Sequence, residues 1–113
     1  MMSFDAVIRL MGDLGDDELR HWIAESWVRP ESRAEGYVFH EVDVARVRLI
    51  RELRYDLAID EGALPVVLHL LDQVYALRRR LRQLGEAIGT QPEEVRAALM
   101  GKLGPGKSVL DDL

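Results

Sequence analysis

The stretch that decides the fold is ALPVVLHLLDQVYALRRRLRQLGEAI, residues 63–88. Ala63, Val67, Leu70, Val74, Leu77, Leu81, Leu84 and Ile88 fall alternately four and three residues apart, a heptad seam sustained over more than three repeats. The spacing predicts one long helix whose distal half is a coiled-coil arm. A second apolar row, Leu64, Leu68, Leu71 and Tyr75, occupies only the first half and gives that half another face to bury. Pro65 falls near the helix start, where its missing donor costs least. Arg78, Arg79, Arg80 and Arg82 flank the distal seam, where charges keep a coiled coil soluble and paired. The seam residues Val67, Leu70, Val74, Leu77, Leu81 and Leu84 are therefore expected to join two copies of the chain in a homodimer.

Upstream of the arm, Glu41 to about Tyr55 carries Val44, Val47, Leu49, Ile50 and Leu53 with Arg46, Arg48, Arg51 and Arg54 between them. This predicts an amphipathic helix with a basic outer face. Before it, Trp27-Val28 and Tyr37-Val38-Phe39 flank the polar stretch Glu31 to Gly36, which reads as a two-stranded hairpin or wing. At the start, Phe4, Val7, Ile8 and Met11 repeat at helical spacing as far as Gly12. Asp16-Asp17-Glu18 then opens a second short helix carrying Leu19, Trp22 and Ile23, and acids in a first turn suit the helix dipole. The turn Asp13-Leu14-Gly15 between the two completes a helix-turn-helix outline. Beyond the arm, Gly85 and Gly89 weaken its end, and Thr90-Gln91-Pro92-Glu93 offers a capping box. A last helix with Val95, Leu99 and Leu103 is expected to stop before Gly104-Pro105-Gly106, leaving a loose tail. The expected parts are a head over 1–62, an arm over 63–89, and a short helix with its tail over 90–113.

Composition narrows the function. The 113 residues suit one small domain with an extension, and 48% apolar residues suffice for a core. Fifteen Lys and Arg against twenty Asp and Glu leave a net charge of −5, the wrong sign for a chain that lives on phosphate. With no cysteine, disulfides, thiolate metal sites and cysteine nucleophiles are ruled out. His21, His40 and His69 lack any ligand spacing, no glycine-rich loop links a strand to a helix, and Ser26, Ser32 and Ser108 lack a neighbouring His and acid. Neither catalysis nor a metal nor a cofactor is expected. The start, Met1 to Asp5, lacks the basic flank and apolar core of a signal peptide, and no apolar run is long enough to span a bilayer. A cytoplasmic protein without a membrane partner is expected.

The residues also resemble a known pattern. Glu18-Leu19-Arg20-His21-Trp22, Trp27-Val28-Arg29-Pro30, Gly36-Tyr37, Asp43-Val44-Ala45-Arg46-Val47 and Ile50-Arg51-Glu52-Leu53-Arg54 stand in the order of the winged helix-turn-helix of MerR-type regulators. The likeness covers about residues 4 to 75. It implies a mainly α fold: a MerR-like winged helix-turn-helix with a small β-hairpin wing and a long C-terminal coiled-coil dimerisation helix. It also implies DNA binding, for which Arg46, Arg48, Arg51 and Arg54 would be the phosphate stripe.

Two departures point elsewhere. Where such regulators place polar contact residues at the opening of the second helix and Arg after Gly-Tyr, this chain has Asp16-Asp17-Glu18 and Val38. Acids there repel phosphate. Leu53 to Asp60, followed by Val66 to Val74, looks instead like the CbpM-type chaperone modulators, a family with the same fold. That resemblance implies binding to the J-domain of a DnaJ-like, CbpA-type co-chaperone and restraint of its activity. A J-domain presents a basic helix, so its contact is expected on acids. Asp13, Asp16, Asp17 and Glu18 are the first candidates and Asp56, Asp60 and Glu61 the second, with Trp22 and Leu57 as apolar anchors. DNA binding is the alternative function, and nucleic acid is a partner only under it.

Overall fold

The computed structural model describes residues 1–102. Met2–Ser3 forms a two-residue strand, β1, and Ser3 then caps the first helix, its hydroxyl accepting the Ala6 amide at 3.1 Å. That helix, α1 (Phe4–Met11), ends at Gly12, whose φ of 75° is natural only to glycine and whose amide closes onto the Ile8 carbonyl at 3.0 Å. Leu14 is buried in the turn, and α2 (Asp16–Ala24) follows with Leu19 and Trp22 in the core. The helix-turn-helix outline read from the sequence is thus present.

The wing differs in detail from its expectation. Its strands are β2 (Glu31–Arg33) and β3 (Gly36–Phe39), so the first half of the polar stretch is itself a strand and Trp27-Val28 is not. The Trp27 and Val28 amides instead turn back to the Trp22 carbonyl, at 2.9 and 3.4 Å, while Ser26 takes a φ of 62°. The end of α2 therefore claims these amides before a strand can, and Val28 is buried. The strands are antiparallel in the order β1-β3-β2, with Met2 opposite Phe39 and Ser32 opposite Tyr37. A two-residue strand such as β1 has no period to detect.

His40 precedes α3 (Glu41–Arg51), its amide donating to the Asp43 carboxylate at 2.8 Å. Where the periodicity suggests one helix to about Tyr55, the last turn widens into a π-helical turn over Glu52–Asp56, closed by the Leu57 amide on the Glu52 carbonyl at 3.0 Å. Leu53 stays in the core while Tyr55 and Leu57 stand exposed. The long helix, α4, runs Leu64–Gly89. Together Val7, Met11, Leu14, Leu19, Trp22, Val28, Phe39, Val47, Ile50, Leu53, Leu64 and Leu68 form the buried apolar core.

The chain divides into two compact units, Met1–Leu68 and a second beginning at His69. This division falls inside α4, where Leu64 and Leu68, 0% and 3% exposed, bury themselves with the first unit. Of the second apolar row, Leu71 is only half-buried and Tyr75 is exposed. In the second unit α4 is followed by α5 (Glu93–Lys102). Gly85, Ile88 and Gly89 of α4 share a groove with Glu93, Arg96, Ala97 and Met100 of α5, and Ile88 is buried. The Thr90 hydroxyl donates back to the Ala87 carbonyl at 2.8 Å, and α5 opens with the Arg96 amide on the Pro92 carbonyl. Leu103, Gly104-Pro105-Gly106, Ser108 and the tail lie outside the described residues.

Candidate partner-binding face

The acidic opening of α2 follows from local chemistry. Gly15 occupies the cap position without a side chain to accept an amide, and the carboxylates of Asp16, Asp17 and Glu18 offset the unsatisfied amides through the helix dipole. Asp16 and Asp17 are exposed, while Glu18 is half-buried.

Three side-chain pairs join this region to the end of α3 and the segment that follows it. Asp13 receives two bonds from Arg51, Nε to Oδ1 at 2.7 Å and Nη2 to Oδ2 at 3.0 Å. This bidentate bond holds the Asp13 carboxyl below its ordinary range and raises the Arg51 guanidinium. The Tyr55 hydroxyl donates to Glu18. Tyr55 is 45% exposed as a residue, yet desolvation of its hydroxyl, followed by the Glu18 bond, pushes its pKa up to about 12. His21 Nε2 lies 3.7 Å from Glu61, and its ring meets Trp27 edge-on with centroids 5.6 Å apart.

These contacts bring the two acidic groups read separately from the sequence, 13/16/17/18 and 56/60/61, side by side. Asp56 follows the Tyr55 that reaches Glu18, and Glu61 itself reaches His21. Asp56, Asp60 and Glu61 are exposed, although Asp60 also caps the turn into α4, its Oδ1 accepting the Ala63 amide at 2.9 Å. Of the two apolar anchors, Leu57 is 65% exposed, whereas Trp22 is 0% exposed. Trp22 is a core residue and not a surface anchor.

The arginine stripe is largely turned to the protein's own use. Arg46 Nε donates to the Trp27 carbonyl at 2.9 Å, Arg51 holds Asp13, and Arg54 Nη1 donates to the Ile59 carbonyl at 2.6 Å. Arg48 is exposed. Elsewhere, Arg20 lies over the Phe4 ring, 5.2 Å from its centroid. At the base of the wing Glu31 binds both Arg33 and His40, which together hold its carboxyl below the ordinary range, Arg33 contributing more. The sequence offered no signal for the long-range pairs, whose partners lie as much as 38 residues apart.

Among the described residues no three His, Asp or Glu side chains gather as a metal site, and no helix is long and apolar enough to cross a membrane. On α4, Leu70, Val74, Leu77 and Leu84 are exposed, 54%, 41%, 56% and 48%, while Val67 and Leu81 are half-buried.

A head of helix-turn-helix and three-stranded wing followed by a long helix defines a winged helix-turn-helix protein. The family model for MerR HTH family regulatory proteins matches residues 6–86, most of the chain, and the chain belongs to that family. Comparison with curated proteins and with solved structures gives no match.

Proposed function

We propose that the chain is a dimeric chaperone modulator of the CbpM type, binding and restraining the J-domain of a DnaJ-like co-chaperone through the acidic face of its head. The observation that carries this reading is the meeting of two acidic groups on one exposed surface, around Glu18–Tyr55 and His21–Glu61. A cationic helix finds charge complementarity there, which steers association. The same surface weakens the alternative reading of a DNA-binding regulator. Asp16 and Asp17 stand at the opening of α2, where a groove-reading helix approaches phosphate, and three of the four stripe arginines are bonded within the protein. Membership of a regulatory helix-turn-helix family is what favours that alternative.

The test is surface plasmon resonance of the full chain against an isolated J-domain at two salt concentrations, with a defined duplex as the second analyte. The expected result is J-domain binding whose association slows, and loses salt sensitivity, in Asp16→Asn with Asp17→Asn, without loss of folding. Unchanged association in that variant and in one neutralising Asp56 and Glu61 removes the electrostatic assignment. Duplex binding at a dissociation constant of about 10⁻⁸ M at physiological salt, typical of specific recognition, establishes the DNA reading instead.

A further inference from the structure

On the proposed face, one apolar side chain is presented by a backbone that is fixed from several directions. Leu57 is 65% exposed, the most exposed leucine of the head, and it follows directly on the π-helical turn. Its own amide is tied to the Glu52 carbonyl at 3.0 Å. The next residue, Ala58, has a φ of 53°, in the left-handed region that a residue bearing a Cβ rarely adopts. Ile59 is then held at both ends of its peptide groups: its amide donates to the Leu53 carbonyl at 2.8 Å and its carbonyl accepts Arg54 Nη1 at 2.6 Å. Asp60 closes the segment by accepting the Ala63 amide.

We infer that Arg54 and the left-handed Ala58 form a clamp that presents Leu57 as the apolar anchor of the docking face. Arg54 is thereby a positioning residue acting through the loop and not a phosphate ligand. Without the clamp, a leucine between Asp56 and Asp60 on a short loop would gain by turning inward. Held outward, it offers a fixed apolar contact whose ordering is already complete before a partner arrives, the condition under which a small contact contributes most to affinity. The acids beside it set the chemistry of the occupant: a cationic helix with an apolar depression between its Lys or Arg positions, Leu57 entering the depression while Asp56 and Glu61 meet the cations.

This inference rests on the proposed function for the partner's identity, and two independent measurements separate them. Because the chain has no cysteine, Leu57→Cys accepts a single nitroxide label. The expected spectrum is motionally restricted in the parent background and mobile when combined with Arg54→Met or Ala58→Gly. A label that is mobile in the parent background overturns the clamp. In binding to an isolated J-domain, Leu57→Ala is expected to lose at least tenfold in affinity and Leu57→Met to retain most of it. Ala58→Gly separates positioning from stability, because it relieves the left-handed backbone and folds at least as stably while binding severalfold more weakly. Leu57→Ala at parent affinity overturns the anchor. A parent chain that binds no J-domain overturns the proposed function and the anchor with it, while the label still decides the clamp.

Discussion

At the scale of single residues, charges that read as two surfaces of opposite sign turn out to be each other's partners. Asp13 belongs by sign to an acidic patch and Arg51 to a basic stripe, and the fold cancels one against the other. A sequence exposes the sign of a charge but not its neighbour, which is why the acidic candidates were legible and their pairings were not. Trp22 illustrates the same limit, since its place in α2 was legible and its depth was not. Tyr55 gives this scale its test. Desolvation and the Glu18 bond both favour the neutral phenol, so its pKa in the folded chain, about 12, lies above the ordinary value near 10. A raised pKa means stability that is fully present below about pH 10 and is lost as pH rises towards 12. Tyr55→Phe, which lacks the hydroxyl, is expected to be less stable than the parent at neutral pH, with the gap closing over that window. Thermal melts across it, with phenolate absorbance followed in parallel, check the outcome. A gap that stays constant to pH 12 removes the Glu18 contact from the folded state.

At the scale of elements, periodicity is a good guide wherever a helix buries one side. α1, α2, α3 and α4 all lie where apolar residues recur at helical spacing. It failed where a local bond outweighed the pattern: at Trp27-Val28, drawn back to Trp22, and at the widened turn of Glu52–Asp56. The head's α2 carries a correctable weakness. Gly15 occupies the cap with φ −83° and ψ 153°, an extended conformation open to any residue, and an added Cβ there meets nothing within 4 Å. Gly15→Ser supplies an acceptor for the first amides and restricts the unfolded chain, so it is expected to stabilise the head by about 0.5 to 1 kcal/mol. Urea unfolding measures this, and because the substitution leaves Asp16 and Asp17 in place, J-domain association should remain at the parent rate. A stability equal to or below the parent's means that the cap position is already satisfied by the acids behind it.

At the scale of the whole molecule, the question is what covers α4. Its first turns are accounted for, since Leu64 and Leu68 are core residues of the head, and Ile88 is buried beside α5. Between them Leu70, Val74, Leu77 and Leu84 remain exposed at heptad spacing, an apolar row of the kind that marks an interaction surface. A second copy supplies an identical row, and like rows pack knobs into holes when they repeat every three and four residues. We therefore expect a homodimer through Val67, Leu70, Val74, Leu77, Leu81 and Leu84. Leu77→Glu with Leu81→Glu places four carboxylates per dimer where four leucines would each contribute roughly 1.5 to 3 kcal/mol. A loss of that size is comparable to the whole free energy of a micromolar complex, about 8 kcal/mol, so the variant should sediment as a monomer at micromolar concentration. Its head should melt as the parent's head does, because the two substituted positions belong to the second unit and the core leucines of α4 to the first. Sedimentation of the double variant at the parent's mass would take the seam out of the interface and leave the exposed row to another partner.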